Sequence, residues 1–172
     1  MILEFVRANS RKKKLKQRIK KPKSIDMKYD VMIIGSGPGG YVAAVRAAQL
    51  GFNTAVVERE NLGGICLNWG CIPTKALLKS AQAYNYIKHS ADYGVQIEGS
   101  FKADMNAIVD RSRGVSANMG KGVAHLMQKN NITVIEGEAK LTADRKVSVN
   151  MKDGSGEQLF EADHIILATG AR

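Results

Sequence analysis

Tyr29-Asp30-Val31-Met32-Ile33-Ile34-Gly35-Ser36-Gly37-Pro38-Gly39-Gly40 is the stretch that decides the fold of this 172-residue chain. A short apolar run rich in β-branched residues and bounded by glycine reads as a buried parallel strand. Gly35, Gly37 and Gly40 then fit G-x-G-x-x-G. Residues 41–50 follow as a helix whose alanines offer a flat face to a sheet, with Gly51 as its cap. Thr54-Ala55-Val56-Val57 is the second strand. It ends in Glu58, 18 residues after Gly40, where a dinucleotide fold places the acid that binds ribose hydroxyls. A glycine triplet alone is a weak signal, but strand, loop, helix, strand and acid in this order supply its confirming context. Gly35 permits the tight turn and Gly37 lets the backbone approach a pyrophosphate. Gly40 lets helix and strand pack closely, and the helix N-terminus offers free amides and a positive dipole end. The chain is therefore α/β, and its first unit is expected to bind a dinucleotide. The unit itself does not distinguish FAD from NAD.

Just downstream stand the only two cysteines, within Gly63-Gly64-Ile65-Cys66-Leu67-Asn68-Trp69-Gly70-Cys71-Ile72-Pro73-Thr74-Lys75. On an ideal helix, positions five apart lie about 140° round the axis and about 7.5 Å along it. Their Cα atoms are then roughly 8.5 Å apart, beyond the ~7 Å reach of a disulfide. A bridge requires a bent or broken first turn. Gly70 supplies the permissive backbone, and Pro73 disfavours regular helix before it. Two unrelated buried thiols are one reading. A zinc site wants four ligands, and His89, His125 and His164 are scattered. A structural disulfide wants an oxidising compartment and a secretory signal, and the N-terminus has no proper apolar h-region. A strained, easily reduced, redox-active pair is the reading the spacing favours.

The same thirteen residues resemble the redox-active signature of the pyridine nucleotide-disulfide oxidoreductases, most closely that of the dihydrolipoamide dehydrogenases within the family. Glutathione and mercuric reductases are similar but usually carry Val where this chain has Leu67, Trp69 and Ile72, and the soluble transhydrogenases lose the cysteines. The resemblance covers residues 27–172. It implies a Rossmann-like FAD-binding domain with a parallel sheet and a small antiparallel β insert, incomplete at the C-terminus. It also implies FAD in the first unit, with a Cys66–Cys71 disulfide against the flavin. Cofactor contacts are expected from Gly35, Gly37, Gly39, Gly40, Glu58 and Gly64. Lys75, one turn beyond Cys71 on the same helix face, is expected to contact the flavin and pair with a nearby acid. Gly137 and Ala139 belong to Glu136-Gly137-Glu138-Ala139, which resembles the family's loop beside the adenine. Ala168, Thr169 and Gly170 resemble its second FAD signature.

The implied reaction is dihydrolipoamide and NAD⁺ to lipoamide and NADH, within 2-oxoacid dehydrogenase complexes. A lipoyl domain and a second copy of the chain are the implied partners. Cys66 is expected to be the more exposed thiol, attacked by the substrate, and Cys71 the one nearer the flavin. An NAD domain and a dimer domain carrying a His-Glu acid–base pair are expected beyond this chain, whose histidines form no such pair. A glutathione- or mercuric-reductase-like flavoprotein, or a non-catalytic flavin-binding module, is the alternative. No metal is implied.

Net charge is +10, yet residues 1–26 hold ten Lys or Arg against Glu4 and Asp26, so +8 of it is a basic tail. That tail reads as disordered or as no native part of the protein, with Met27 as the start. In that case the setting is cytoplasmic; a transit peptide would place it in the mitochondrial matrix. A nucleic-acid partner for the tail is less favoured, because the body is nearly neutral. No apolar run approaches the roughly 18 residues of a membrane span. Helices are expected from Thr74 to about Ser90 and from an Asp104 N-cap to about Asn130. The second carries an apolar stripe of Met105, Ile108, Val109, Val115, Met119, Val123 and Leu126 for core or interface. Gly114, Gly120 and Gly122 inside it weaken the helix or mark close packing. Tyr93-Gly94-Val95-Gln96-Ile97 reads as a loop or edge segment. Ile132-Thr133-Val134-Ile135 reads as a strand, residues 146–150 and 158–162 as a hairpin, and Asp163 onward as a last buried strand.

Overall fold

The computed structural model describes residues 28–171, so the basic tail, the expected start at Met27 and Arg172 lie outside the described residues. Five strands form among these residues: Lys28–Ile34 (β1), Thr54–Glu58 (β2), Thr133–Leu141 (β3), Val147–Met151 (β4) and Glu157–Leu167 (β5). The helices are Pro38–Gln49 (α1), Gly64–Asn68 (α2), Cys71–Lys88 (α3) and Met105–Lys129 (α4), with a 3-10 turn at Ser90–Tyr93. Parallel pairing runs β5-β1-β2-β3, while β3-β4-β5 pair antiparallel. The first half of β3 pairs with β2 and its second half with β4. β5 divides in the same way between β4 and β1, so the pairings close into a ring. The expected parallel sheet with a small antiparallel insert is thus present.

Alternation along the strands builds two cores. Met32, Ile34, Ala55, Val57 and Ile135 point towards Val147, Val149 and Phe160 of the insert. Val31, Ile33 and Val56 point the other way, onto Ala44 of α1, Leu67 of α2, and Val123 and Met127 of α4. β1 and β2 are covered on both faces, which explains their unbroken apolar run.

Several elements differ from expectation. α1 starts at Pro38, three residues early, because a proline in the first turn needs no hydrogen-bond partner and has its φ already set. Gly51 ends it at φ +91°, with the Phe52 N–H reaching Ala47 O and the Gly51 N–H reaching Ala48 O. α3 likewise starts at Cys71, since Pro73 lies in the turn whose amides have no helical acceptor. Glu136–Ala139, expected as a loop, is the middle of β3. Its small residues alternate inward with Ile135 because the facing strand leaves no room: a Cβ on Gly137 would stand 2.5 Å from Asn150 O. β5 is one continuous strand and is not buried as expected; only Phe160 is fully covered and Leu167 is 62% exposed. The helices pack on β1, β2 and β3 instead.

Asp104 does cap α4, its Oδ1 accepting the Ala107 N–H at 3.0 Å. The buried face of that helix, however, is Ser112, Ser116, Val123 and Met127, while Met105, Val109 and Met119 are exposed. Small side chains allow α4 to lie close against α3. The three α4 glycines are not part of that contact, since a Cβ at any of them meets nothing within 4 Å.

A Cβ at Gly40 would fall 1.9 Å from Gly35 O, whereas one at Gly39 meets nothing within 4 Å. Gly40→Ala should therefore destabilise by about 3 kcal/mol, while Gly39→Ala should be neutral or stabilising by about 0.5–1 kcal/mol. Urea unfolding of the two variants checks both.

Candidate active site

The carboxyl ends of β1, β2 and β5 carry three loops to one place, the usual position for a ligand on such a sheet. A cleft of about 310 Å³ is lined there by Gly37 and Pro38, by Glu58 to Asn61, by the cysteine segment, and by Ala168 to Ala171. A smaller one of about 120 Å³ is lined by Gly35, Gly137, Ala139 and Thr169 among others, and Arg59 and Thr169 belong to both. The larger cleft collects Gly37, Glu58, Gly64, Cys66, Cys71, Ala168, Thr169 and Gly170 of the expected site. The smaller adds Gly35, Gly137 and Ala139. Gly39, Gly40 and Lys75 line neither. Gly40 is buried against Gly35, Gly39 is exposed on α1, and Lys75 is exposed on α3.

The loops are locked together by backbone contact. Gly35, at φ +99°, leaves only 2.4 Å between an added Cβ and Ala168 O. Gly64, at φ +60°, would set its Cβ 2.8 Å from Gly37 Cα. Ser36, wholly buried, was not singled out in the sequence, yet it joins three segments. Its N–H and Oγ–H both donate to Glu58 Oε2, at 3.0 and 2.5 Å. Its Oγ and carbonyl oxygen both lie within reach of the Gly63 N–H, at 3.2 and 3.1 Å. Glu58 Oε1 accepts the Glu60 N–H at 2.8 Å. Glu58 is thus a strut of the loop as well as the candidate ribose acid. The only hint in the sequence was a small polar residue between two glycines beside an apolar strand.

The helix break expected between the cysteines is present. α2 ends at Asn68, and the Trp69 and Gly70 amides both donate to Ile65 O, at 2.9 and 2.7 Å. Gly70 then turns at φ −113°, ψ −111° into α3. Cys66 and Cys71 stand here as free thiols, both lining the cleft. Their exposure is the reverse of expectation, with Cys66 half-buried and Cys71 exposed. Cys66 rides on the short helix whose Leu67 is seated in the helix-side core, whereas Cys71 opens α3 at the cleft. The hydrogen bond to Cys71, then burial, then the neighbouring Cys71 charge push the Cys66 thiol up. The Cys71 N–H and the Lys75 ammonium oppose them. Lys75 forms no ion pair among the described residues.

The donor set fits a dinucleotide. The first turn of α1 carries no acidic side chain, and a Cβ on Gly37 would meet nothing within 4 Å. The helix N-terminus and its glycine loop therefore face open space where a pyrophosphate can sit, beside the Glu58 carboxylate for a ribose. Among the described residues no group of His, Cys, Asp or Glu is placed to hold a metal ion.

Comparison with known proteins agrees with this geometry. Residues 29–172 match the family described as pyridine nucleotide-disulphide oxidoreductase. The dihydrolipoyl dehydrogenase of Rhizobium etli is 55% identical over 157 residues, covering 84% of this chain and 33% of its own length. That of Zymomonas mobilis is 49% identical over 146 residues, covering 84% of this chain and 30% of its own. This chain thus spans about a third of the length of these relatives. Among solved structures, the Cu(II) complex of the HOCl-induced flavoprotein disulfide reductase RclA from Escherichia coli matches with a TM-score of 0.70 and 28% identity. It covers 85% of this chain and 29% of its own.

Lys75→Gln removes a charge that holds the Cys66 thiol down, so its titration should move to higher pH. Cys71→Ala removes the contact that pushes it up and should move the titration to lower pH. The pH dependence of Cys66 alkylation by iodoacetamide reads both shifts.

Proposed function

The chain belongs to the pyridine nucleotide-disulphide oxidoreductase family, and from that premise we propose that it forms the flavin- and disulfide-bearing part of a dihydrolipoamide dehydrogenase. The observation that supports this most is that both cysteines line the same cleft as the glycine loop and Ala168 to Gly170. The names of the relatives support the choice of substrate.

In this reading the resting pair is a Cys66–Cys71 disulfide. A dihydrolipoyl thiolate attacks Cys66 Sγ, a new S–S bond forms, and the Cys66–Cys71 bond breaks with Cys71 leaving as thiolate. The second dihydrolipoyl thiol loses its proton to solvent and displaces Cys66, which releases the cyclic lipoyl disulfide. Two electrons have then moved from substrate to the cysteine pair. The Cys71 N–H at the start of α3 and the Lys75 ammonium stabilise the Cys66 thiolate so produced. The α1 N-terminus and Glu58 would hold the pyrophosphate and ribose of FAD, with Gly137 and Ala139 in the adjoining smaller cleft. Bound there, FAD supplies a two-electron acceptor between the dithiol and NAD⁺. A lipoyl domain of a 2-oxoacid dehydrogenase complex, a second copy of the chain and a cytoplasmic setting belong to the same reading.

Cys71→Ser in the complete flavoprotein should lower dihydrolipoamide-driven NAD⁺ reduction by on the order of a thousandfold or more, with flavin still bound. Turnover assays decide it: an unchanged rate removes the redox role, and preferred turnover of glutathione disulfide moves the chain to another branch of the family.

A further inference from the structure

We propose that Ser112 and Arg113 of α4 are positioning residues for the Cys66–Cys71 couple, each fastening one limb of the broken helix through a backbone carbonyl. The inference rests on the redox-active reading above. The limb carrying Cys66 is α2, only five residues long, and a helix that short does not stand alone. The limb carrying Cys71 is the first turn of α3, in which Pro73 has no N–H to give. Gly70 lies between them, the residue type with the widest backbone freedom. Within this segment only the bonds from the Trp69 and Gly70 amides to Ile65 O and from the Thr74 amide to Gly70 O carry across the break, and none of them bears on the Pro73 or Asn68 carbonyl.

α4 supplies a further restraint from outside the segment. The Ser112 hydroxyl, 3% exposed, donates to Pro73 O at 3.0 Å in a buried contact. Arg113 Nη1 donates to Asn68 O at 3.3 Å, on the last residue of α2. Arg111 Nη1 extends the row with a bond to Ala76 O at 2.8 Å. Three consecutive side chains of α4 therefore reach three carbonyls on both sides of the break, as a splint does. Both free thiols line the cleft at this break.

Holding the limbs keeps each thiol at high effective concentration for the other, which favours the disulfide. Release favours the dithiol, and every tenfold change in that equilibrium is about 30 mV for a two-electron couple. The test equilibrates the flavin-loaded, full-length protein in glutathione buffers of stepped ratio, traps thiols by alkylation, and reads the Cys66–Cys71 pair by mass. Ser112→Ala should shift the midpoint about fivefold towards the dithiol, equivalent to about 20 mV. Arg113→Ala should shift it about twofold in the same direction. Ser112→Thr keeps the hydroxyl and should stay with the parent, as should Lys121→Gln, exposed about two turns further along α4. An unchanged midpoint in Ser112→Ala, with only the melting temperature lowered, overturns the proposal by reducing Ser112 to packing. If Ser112→Ala does not fold, Arg113→Ala decides, and an unmoved midpoint there overturns it equally. A parent protein that never forms the Cys66–Cys71 disulfide overturns the redox reading itself.

Discussion

Ser36 is the point on which the site depends. Its side chain and backbone bind the carboxylate at the end of β2 and the first amide of the cysteine segment, the latter wholly buried. A buried hydroxyl and a partly buried carboxylate each need a partner, and a broken pair leaves the other group unsatisfied at about 1–3 kcal/mol. The two groups satisfy each other only when the glycine loop, β2 and the cysteine segment are in their observed places. The Gly64–Gly37 and Gly35–Ala168 backbone contacts then leave no slack. The glycine loop and the thiol pair are in this way held in one fixed arrangement.

The sheet supplies the base for that object. β1 and β2 present apolar side chains to both faces, so the insert on one side and α1, α2 and α4 on the other are fixed relative to the same two strands. α4 reaches furthest. It seats Val123 and Met127 in the helix-side core, and its N-terminal half lies against the cysteine limbs through Ser112. A side chain as large as leucine at Ser112 or Ser116 would drive α4 away from α3 and remove the row of donors.

Much of this was readable in the chain itself. The strand, the glycine loop, the helix and Glu58 carried the dinucleotide unit. Asp104 carried its helix start, and residues 146–150 and 158–162 their hairpin. The helix break between the cysteines followed from the reach a bridge needs, with Gly70 and Pro73 to permit it. What was hidden depended on partners distant in sequence. Glu136–Ala139 has loop-like composition, and only the facing Val149 and Asn150 explain why its glycine is in a strand. Val123 of the expected α4 stripe is on the buried face and Leu126 packs against it, but nearer the helix start close packing places Ser112 and Ser116 there. The relative exposure of the two thiols depends on what α2 is packed against, which no local spacing records. Ser36 was silent because a serine between glycines has no pattern that distinguishes a spacer from a hub.

The register of the sheet bears on how the chain comes into being. β1 finds β2 close at hand, with Val31 opposite Thr54. On its other flank it pairs with β5, with Lys28 opposite Glu161, almost the whole described chain away. Loop-closure cost grows with separation, and parallel pairings of this kind are the slow ones. The β1-α1-β2 unit can assemble from neighbours as it leaves the ribosome, but one side of its central strand stays open until residue 161 has been made. During synthesis the glycine loop therefore precedes its own support, and β1 stays paired on one edge alone until β5 follows.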